Sequence, residues 1–258
     1  MFKAILWDVD GTLAETERDG HRVAFNLAFE AFGIPWRWDE RHYGDLLNIT
    51  GGRERLLYDM AQRGDVPAVP GERERLARAI HERKNTVYGQ LMRERAIPLR
   101  AGVLELLDQC RTEGVRVAIT TTTSRSNVDA LLRSHFGAAW QERFAAVVCG
   151  EDVRSKKPDP EAYRQTLAAL ALRPLETLAI EDSPGGVAAA RAADIPVTVT
   201  RSHYFGAAPI DGAIAIGPGL HQRQGWRPAL PAELDAGPVG LDDLRGWFAE
   251  MQSVSQFP

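Results

Sequence analysis

The spacing of hydrophobic residues changes along the chain. A short apolar run at residues 3–8 predicts a buried β-strand. In residues 16–97, apolar residues such as Val23 and Leu27 recur instead at the spacing of amphipathic helices, with no convincing strand among them. We call this stretch the helical insertion. The pattern predicts that it contains four or five helices.

From Gly102 onward, predicted strands and helices alternate. The predicted strands are 115–119, 145–149, 177–180, 196–200 and 213–216, and the predicted helices are 103–113, 126–134, 158–170, 185–193 and 241–251. Residues 217–240 contain four prolines, which predicts a loop. Alternation of this kind indicates an α/β fold, with a Rossmann-like parallel sheet covered by helices on both faces. We expect residues 1–15 and 98–258 to form this core domain and the helical insertion to form a second domain.

Polar side chains stand where four of the predicted strands end. They are, in strand order, Asp8 and Asp10, then Thr121, then Lys157, then Glu181 and Asp182. In a parallel sheet, ligands bind beyond the carboxyl ends of the strands, so we expect these groups to form one site. Gly11 bends the chain after the second aspartate, which should bring both aspartates to one metal and one phosphate.

These residue types suit phosphoryl transfer. A carboxylate can attack phosphorus when a cation shields the charge of both partners, and a second carboxylate can move protons. Oxygen ligands beside a phosphate favour Mg²⁺, and an ammonium group such as that of Lys157 grips an oxyanion. Each piece alone also has a structural explanation: an Asp-Gly turn, a β-branched strand end, a solvated lysine, or a helix capped by Ser183. Their occurrence together, each after its own predicted strand, favours an active site over four separate structural features.

The four motifs resemble the haloacid dehalogenase superfamily of aspartate-nucleophile phosphatases. The motifs are DVDGT at 8–12, the threonines at 120–123, KKP at 156–158 and EDSPGG at 181–186. The resemblance covers nearly the whole chain. It implies that the core has the haloacid dehalogenase fold and that the helical insertion is the small cap domain of that superfamily, placed after the first strand.

The resemblance also implies a role for each strand-end residue. Asp8 would be the nucleophile that forms an aspartyl-phosphate, and Asp10 would act first as general acid and then as base. Mg²⁺ would be held by the Asp8 side chain, the Asp10 backbone carbonyl and Asp182, with Glu181 supporting the metal. The phosphate-binding residues would be Thr121, Thr122 and Lys157.

Further motifs resemble the CbbY-like branch, whose characterised members are xylulose-1,5-bisphosphate phosphatases. The motifs are LAETE at 13–17, TGGRER at 50–55 and HERK at 81–84. The expected substrate is therefore a small sugar bisphosphate, cleaved to xylulose 5-phosphate. The candidate substrate-binding residues are Glu17, Thr50, Gly51, Gly52, Arg53, Glu54, His81, Lys84, Ser124 and Asn127.

Physical arguments support parts of this set. The two glycines should let backbone N–H groups approach a ligand closely, and His81 and Lys84 share a helix face. Arg53 stands where many relatives are expected to have lysine, which keeps the charge but not the geometry. A solvated basic face of the helical insertion is the alternative for Arg53, Arg55, Arg73, Arg75, Arg78, Arg83 and Lys84. We assign a lone His21 to packing or the surface, and Trp36 and Trp38 to packing between helices.

Composition and charge limit the binding partners and the cellular compartment that we expect for the protein. The net charge of −4 gives no sign of a nucleic acid or an anionic membrane as partner. Cys110 and Cys149 lie in apolar segments, so we expect two free thiols in a reducing compartment. No signal peptide precedes the first strand and no apolar run reaches transmembrane length. We expect a cytoplasmic monomer that acts on a small molecule.

Two other functions fit the core motifs. A mutase of the β-phosphoglucomutase type uses the same aspartate pair but returns the phosphoryl group to the sugar. A non-enzymatic regulator could also be built on the same fold. The motifs of the helical insertion favour the phosphatase over the mutase, and the complete set of catalytic groups argues against the regulator.

Overall fold

The structure, a computed structural model, describes residues 1–229 and 237–254. Its centre is a six-stranded parallel sheet with the strand order β3-β2-β1-β4-β5-β6. The strands are β1 (Ala4–Trp7), β2 (Arg116–Thr120), β3 (Ala146–Val148), β4 (Thr177–Glu181), β5 (Val197–Thr200) and β6 (Ala215–Gly217). The predicted α/β class with a Rossmann-like core is confirmed.

The strand β1 lies in the middle of the sheet because it is apolar on both faces. Ile5 and Trp7 belong to the apolar cluster on one face, and Ala4 and Leu6 belong to the cluster on the other. All four residues are fully buried. This explains why the strand reads as a continuous apolar run rather than an alternating one. The polar chain that follows Trp7 is thereby placed at the centre of the sheet edge.

The helices of the core cover both faces of this sheet. They are α5 (Val103–Thr112), α6 (Arg125–Phe136), α7 (Glu161–Leu170), α8 (Pro184–Ala192) and α9 (Leu241–Val254). The predicted helix at 158–170 is wrong at its start, because Pro158 and Asp159 lie in a turn and Pro160 precedes the first helical residue. In α8, the Ser183 hydroxyl accepts a hydrogen bond from the Gly186 N–H, which caps the helix next to Asp182.

The helical insertion has its own apolar core. A π-helical turn at Glu17–His21 leads into α1 (Arg22–Ala31), which is followed by α2 (Glu40–Leu46), α3 (Gly52–Ala61) and α4 (Pro70–Glu94). Phe25, Phe29 and Trp38 are buried together in a cluster that is separate from those of the sheet. Trp36 and Trp38 pack within this cluster, as the sequence predicts. Four α-helices in this stretch agree with the predicted number.

The two crossings between the core and the helical insertion lie side by side. Ala14 and Leu99 form an antiparallel β-bridge, and the Arg100 N–H donates to the Leu13 carbonyl over 2.8 Å. The Arg100 guanidinium donates to the Gly11 carbonyl and, over 2.5 Å, to the Arg201 carbonyl. The two crossings are thus hydrogen-bonded to each other and to the loop that contains Asp8 and Asp10. The domain boundaries themselves stay a prediction.

The predicted loop at 217–240 is only partly described. Its residues 230–236 lie outside the described ranges. Trp226 is buried and stacks on Trp247 of α9 with 4.7 Å between the ring centroids, which holds the loop against the core. Cys110 and Cys149 are buried free thiols, as predicted. Within the described ranges, no helix combines the length and the apolar character that crossing a membrane requires.

Candidate active site

Three carboxylates meet at the carboxyl ends of β1 and β4. These strands are neighbours, with Trp7 beside Ile180, so that Asp8 and the pair Glu181 and Asp182 leave the sheet together. All three carboxylates are buried, and each offers one oxygen within 4.8 Å of the others. Because β1 and β4 are adjacent, residues far apart in the chain form one acidic cluster.

Lys157 is the cation inside this cluster. Its Nζ donates to Asp8 Oδ1 over 2.8 Å, to Glu181 Oε1 over 2.6 Å and to the Thr120 carbonyl over 2.8 Å. The Tyr163 hydroxyl also donates to Glu181 Oε1, over 2.6 Å. The second oxygen, Glu181 Oε2, is buried and has no hydrogen-bond partner among the described residues. An ammonium and one unpaired carboxylate oxygen therefore stand beside Asp8.

The acidic cluster carries more negative charge than Lys157 can balance. Burial, together with the neighbouring Glu181 and Asp10, raises the pKa of Asp8 to about 8 even though Lys157 opposes the shift. Burial and the charges of Asp8 and Glu181 raise the pKa of Asp182 well above its usual value. A divalent cation bound by oxygen ligands would restore the balance, and Mg²⁺ is such a cation. The residues present thus fit the metal that the sequence predicts.

This charge excess gives a prediction for the metal-free protein. A raised carboxylate pKa means that folding favours the proton, so the stability that it contributes is complete below pH 3.8 and is lost as the pH rises to about 8. We expect Asp8→Asn to gain about 2–4 kcal/mol in unfolding free energy relative to the wild type between about pH 5 and pH 8. Denaturant unfolding in EDTA at both pH values measures this gain, and an equal difference at both would contradict it.

Asp10 occupies a different environment from Asp8. Its Oδ1 accepts from the Thr16 hydroxyl over 2.5 Å and lies 2.8 Å from His21 Nε2. Burial opposes ionisation, but the His21 and Thr16 contacts outweigh it and hold the pKa of Asp10 below its usual range. The Asp10 side chain thus contacts residues of the helical insertion rather than the acidic cluster. Its backbone carbonyl remains the predicted ligand.

His21 packs in the interior, which is one of the two sequence-based assignments, and it also contacts Asp10 at this site. It is buried, its ring stacks on Tyr88 at a centroid distance of 4.4 Å, and its Nδ1 lies 2.7 Å from Lys84 Nζ. Burial lowers the pKa of Lys84 to about 8, although Asp10 and Glu17 oppose the shift. Sequence reasoning could not find this chain of contacts, because Asp10 and Lys84 become neighbours only in the fold.

A cavity of about 680 Å³ lies between the sheet edge and the helical insertion. All of the predicted site residues except Glu181 line it. Residues that the sequence did not single out as site residues also line the cavity, among them Arg78, Asn85, Lys156 and Phe205. Thr121 is buried at the sheet edge, and its hydroxyl accepts from the Thr123 N–H over 3.2 Å. Thr122 lies next to it on the cavity wall.

The basic residues of the helical insertion divide into two groups. Arg55 and Lys84 are buried, so a solvated face does not describe them. Arg55 donates to the Tyr43 hydroxyl over 2.8 Å, and that hydroxyl donates to Glu17 Oε2 over 2.5 Å. Arg53 and Arg78 are exposed at the cavity wall. Glu17 is therefore held by protein contacts, whereas the Arg53 side chain is 45% exposed and its guanidinium lies 3.9 Å from Glu54 Oε1.

The glycines at the start of α3 make room for protein side chains. Gly51 has φ +99°, and a Cβ there would lie 2.2 Å from Glu54 Oε2. A Cβ at Gly52 would lie 2.9 Å from His81 Nε2. Protein side chains thus occupy the Cβ positions of both glycines, and both glycines also line the cavity. Burial, with the nearby Lys84 and Lys156 charges, lowers the pKa of His81 to about 3, so His81 offers hydrogen bonds rather than charge.

Ser124 and Asn127 contact the helical insertion through Asn85. The Asn85 Nδ2 donates to Ser124 Oγ over 3.3 Å, and the Asn127 Nδ2 donates to Asn85 Oδ1 over 3.2 Å. Asn127 Oδ1 is buried and lacks a partner within the part of the chain that the structure describes. A buried acceptor without a partner at a cavity wall suits a hydroxyl group of a ligand.

Comparison with known proteins identifies the family. Residues 2–194 match the model of the haloacid dehalogenase-like hydrolases, and the chain belongs to that family. Protein CbbY of Rhodobacter capsulatus is 41% identical over 202 residues, which are 78% of this chain and 86% of that protein. The predicted resemblance to the CbbY-like branch is confirmed, and so is the prediction of an enzyme.

Solved structures agree with this assignment. A mutant of CbbY from Rhodobacter sphaeroides, in complex with xylulose-(1,5)bisphosphate, is 40% identical with a TM-score of 0.77, covering 83% of this chain and 92% of that one. β-Phosphoglucomutase from Clostridium difficile covers 98% of this chain and all of its own, with a TM-score of 0.72. Its identity is 18%, so it shares the fold alone.

Proposed function

We propose that this protein is a Mg²⁺-dependent sugar-phosphate phosphatase, and that xylulose 1,5-bisphosphate is its substrate. The observation that carries the proposal is a cavity with two different ends. One end holds the acidic cluster and Lys157, and the other holds the exposed guanidinium of Arg53. The xylulose bisphosphate complex of a 40% identical relative supports the same assignment.

The core residues have distinct tasks in the proposed reaction. The carboxylate of Asp8 attacks phosphorus, an Asp8–phosphate bond forms, and the bond to the sugar oxygen breaks. Asp10 gives that oxygen a proton and later takes one from the water that cleaves the aspartyl-phosphate. Its hydrogen bonds to His21 and Thr16 favour the carboxylate form, which is the form that acts as the base. Lys157 holds the phosphoryl group beside Asp8.

The bound metal would neutralise phosphate and carboxylate charge during this transfer. Asp8, Asp182 and the Asp10 carbonyl would hold it. The unpaired Oε2 of Glu181 is the further candidate. Gly186 makes room for this oxygen, because a Cβ there would lie 1.9 Å from it.

The second phosphate of a bisphosphate would lie at the helical insertion. Asp8 can receive only one phosphoryl group, so the other must find its own partners. Arg53 and the N-terminal N–H groups of α3 can supply a charge and hydrogen bonds there. The pentulose itself would meet Asn127, whose unpaired Oδ1 can accept from a hydroxyl group. We propose that this contact, with Glu17, distinguishes xylulose from ribulose bisphosphate at carbon 3.

Arg53→Ala tests the second phosphate site. A hydrogen bond to a charged group is worth about 1.5–3 kcal/mol, so we expect kcat/KM on xylulose 1,5-bisphosphate to fall about 10–100-fold. The wild type should prefer this substrate over ribulose 1,5-bisphosphate and glucose 1-phosphate. Phosphate release from all three measures both effects. Arg83→Ala is the matched control, because Arg83 is exposed on α4 and does not line the cavity.

Two outcomes would reject the assignment. One is equal efficiency on glucose 1-phosphate and the bisphosphate. The other is an Arg53→Ala variant with undiminished activity on the bisphosphate. Conversion of glucose 1-phosphate to an isomer without release of phosphate would instead establish the mutase.

A further inference from the structure

An ion pair between a lysine and a glutamate links the core to the helical insertion at the cavity. Lys156 lies in the loop between β3 and α7, and Glu54 lies in the first turn of α3. The Lys156 Nζ donates to Glu54 Oε1 over 2.9 Å and to Oε2 over 2.8 Å. Its neighbour Lys157 turns the other way, into the acidic cluster. Two successive lysines therefore serve different partners, one in the core and one in the insertion.

The backbone of α3 is shaped around this pair. A Cβ at Gly51 would lie 2.5 Å from Lys156 Nζ and 2.2 Å from Glu54 Oε2. With φ +99°, Gly51 also has a conformation that L side chains rarely adopt. The ion pair thus packs directly against the backbone of Gly51. The glycine that the sequence suggested for ligand approach instead admits the Lys156 ammonium.

The pair is partly shielded from water. The side chains of Lys156 and Glu54 are 25% and 37% exposed. Burial acts against the ionised carboxylate, but the hydrogen bonds and charge of Lys156 outweigh it and lower the pKa of Glu54. On the α4 side of the cavity, the Asn85 contact to Ser124 is neutral and longer, at 3.3 Å. The Lys156–Glu54 pair is therefore the stronger cross-cavity contact of the two.

We propose that Lys156 and Glu54 are positioning residues that hold the helical insertion closed over the acidic cluster. The ammonium contacts both oxygens of Glu54, so Lys156 serves the closed arrangement rather than a phosphate group. The closed arrangement places Thr16 and His21 against Asp10, and it excludes water from Asp8. The proposal rests on the proposed function only for its phosphoryl-transfer chemistry. The ion pair would hold the insertion closed in the same way whichever phosphate ester is bound.

Charge reversal tests the pair. We expect Glu54→Gln and Lys156→Met each to lower kcat/KM by about threefold to tenfold. The loss should be equal on xylulose 1,5-bisphosphate and on p-nitrophenyl phosphate. The double variant Glu54→Lys with Lys156→Glu should recover activity to within about twofold of the wild type. Glu176→Gln is the matched control, because it removes a Lys–Glu pair far from the cavity, the 2.7 Å contact to Lys3.

Hydrogen exchange supplies a readout that does not depend on activity. Amides of the first turn of α3 should exchange faster in Glu54→Gln and Lys156→Met than in the wild type and in Glu176→Gln. This comparison decides the question even when the double variant folds poorly. Unchanged exchange in both single variants would overturn the proposal.

Direct binding of phosphate by Lys156 predicts the opposite sign. Glu54 would then compete for the ammonium, and Glu54→Gln would raise efficiency on the bisphosphate and leave p-nitrophenyl phosphate unchanged. That result also overturns the proposal. A wild type that cleaves p-nitrophenyl phosphate but not xylulose bisphosphate would reject the proposed substrate alone, since the pair can still be tested on the simpler ester.

Discussion

Asp8→Asn is expected to lower kcat by at least about 10⁴-fold, the scale seen when a catalytic nucleophile is removed. The amide has nearly the same shape as the carboxylate but does not attack phosphorus. The fold should survive, because Asp8 adds negative charge to a buried site that already contains Glu181 and Asp182. Loss of activity without loss of stability would separate a chemical role from a structural one.

Two measurements check this result. Phosphate release from a sugar bisphosphate gives the activity, and thermal unfolding gives the stability. Asp108→Asn is the matched control, because the Asp108 side chain is partly exposed in α5 and forms ion pairs with the surface residues Arg111 and Arg143. Activity of Asp8→Asn within tenfold of the wild type would exclude an aspartyl-phosphate on this residue.

Removal of divalent cations should also abolish phosphatase activity. Without Mg²⁺, the incoming phosphate would face the negative charges of Asp8, Glu181 and Asp182, which Lys157 opposes only in part. Like charges this close disfavour ionisation of the nucleophile and entry of the substrate. We expect a drop of more than about 10³-fold in excess EDTA and full recovery when Mg²⁺ is restored.

Addition of Mg²⁺ to the metal-free protein should also change its thermal stability. A Mg²⁺ ion that binds the folded acidic cluster and not the unfolded chain would stabilise the folded state, so we expect the melting temperature of the wild type to rise with the Mg²⁺ concentration. In Asp182→Asn, which loses a predicted ligand, a given rise should need a higher concentration. Full activity after prolonged dialysis against EDTA would show that the metal is not required.

Sequence reasoning located the sheet edge well. The apolar run before Asp8 is buried on both faces, and such strands end sharply where polar residues begin. Asp8 follows β1, Lys157 follows β3, and Glu181 and Asp182 stand at the end of β4, so the parallel sheet brings all four to one edge. Their convergence follows from local patterns and one topological rule.

The wall formed by the helical insertion was harder to predict. His21 contacts Lys84 across two helices, and nothing near either residue in the chain announces the contact. Gly51 suggested room for a ligand, but only the fold shows that Glu54 and Lys156 fill that space. Pro158 suggested the start of a helix, yet α7 begins three residues later, at Glu161. Side-chain direction and helix docking depend on tertiary contacts, which a spacing pattern does not contain.

The central place of β1 also bears on how the chain folds during synthesis. This strand leaves the ribosome well before its partners, because Ala4 pairs with Arg116 and with Thr177. Pairing over such distances is slow, since a long loop must close before any contact rewards it. The helices at 22–94 can fold from local contacts in the meantime. We therefore expect the nascent chain to contain an unpaired apolar strand followed by a folded helical bundle. An exposed apolar strand of this kind is a site to which chaperones can bind.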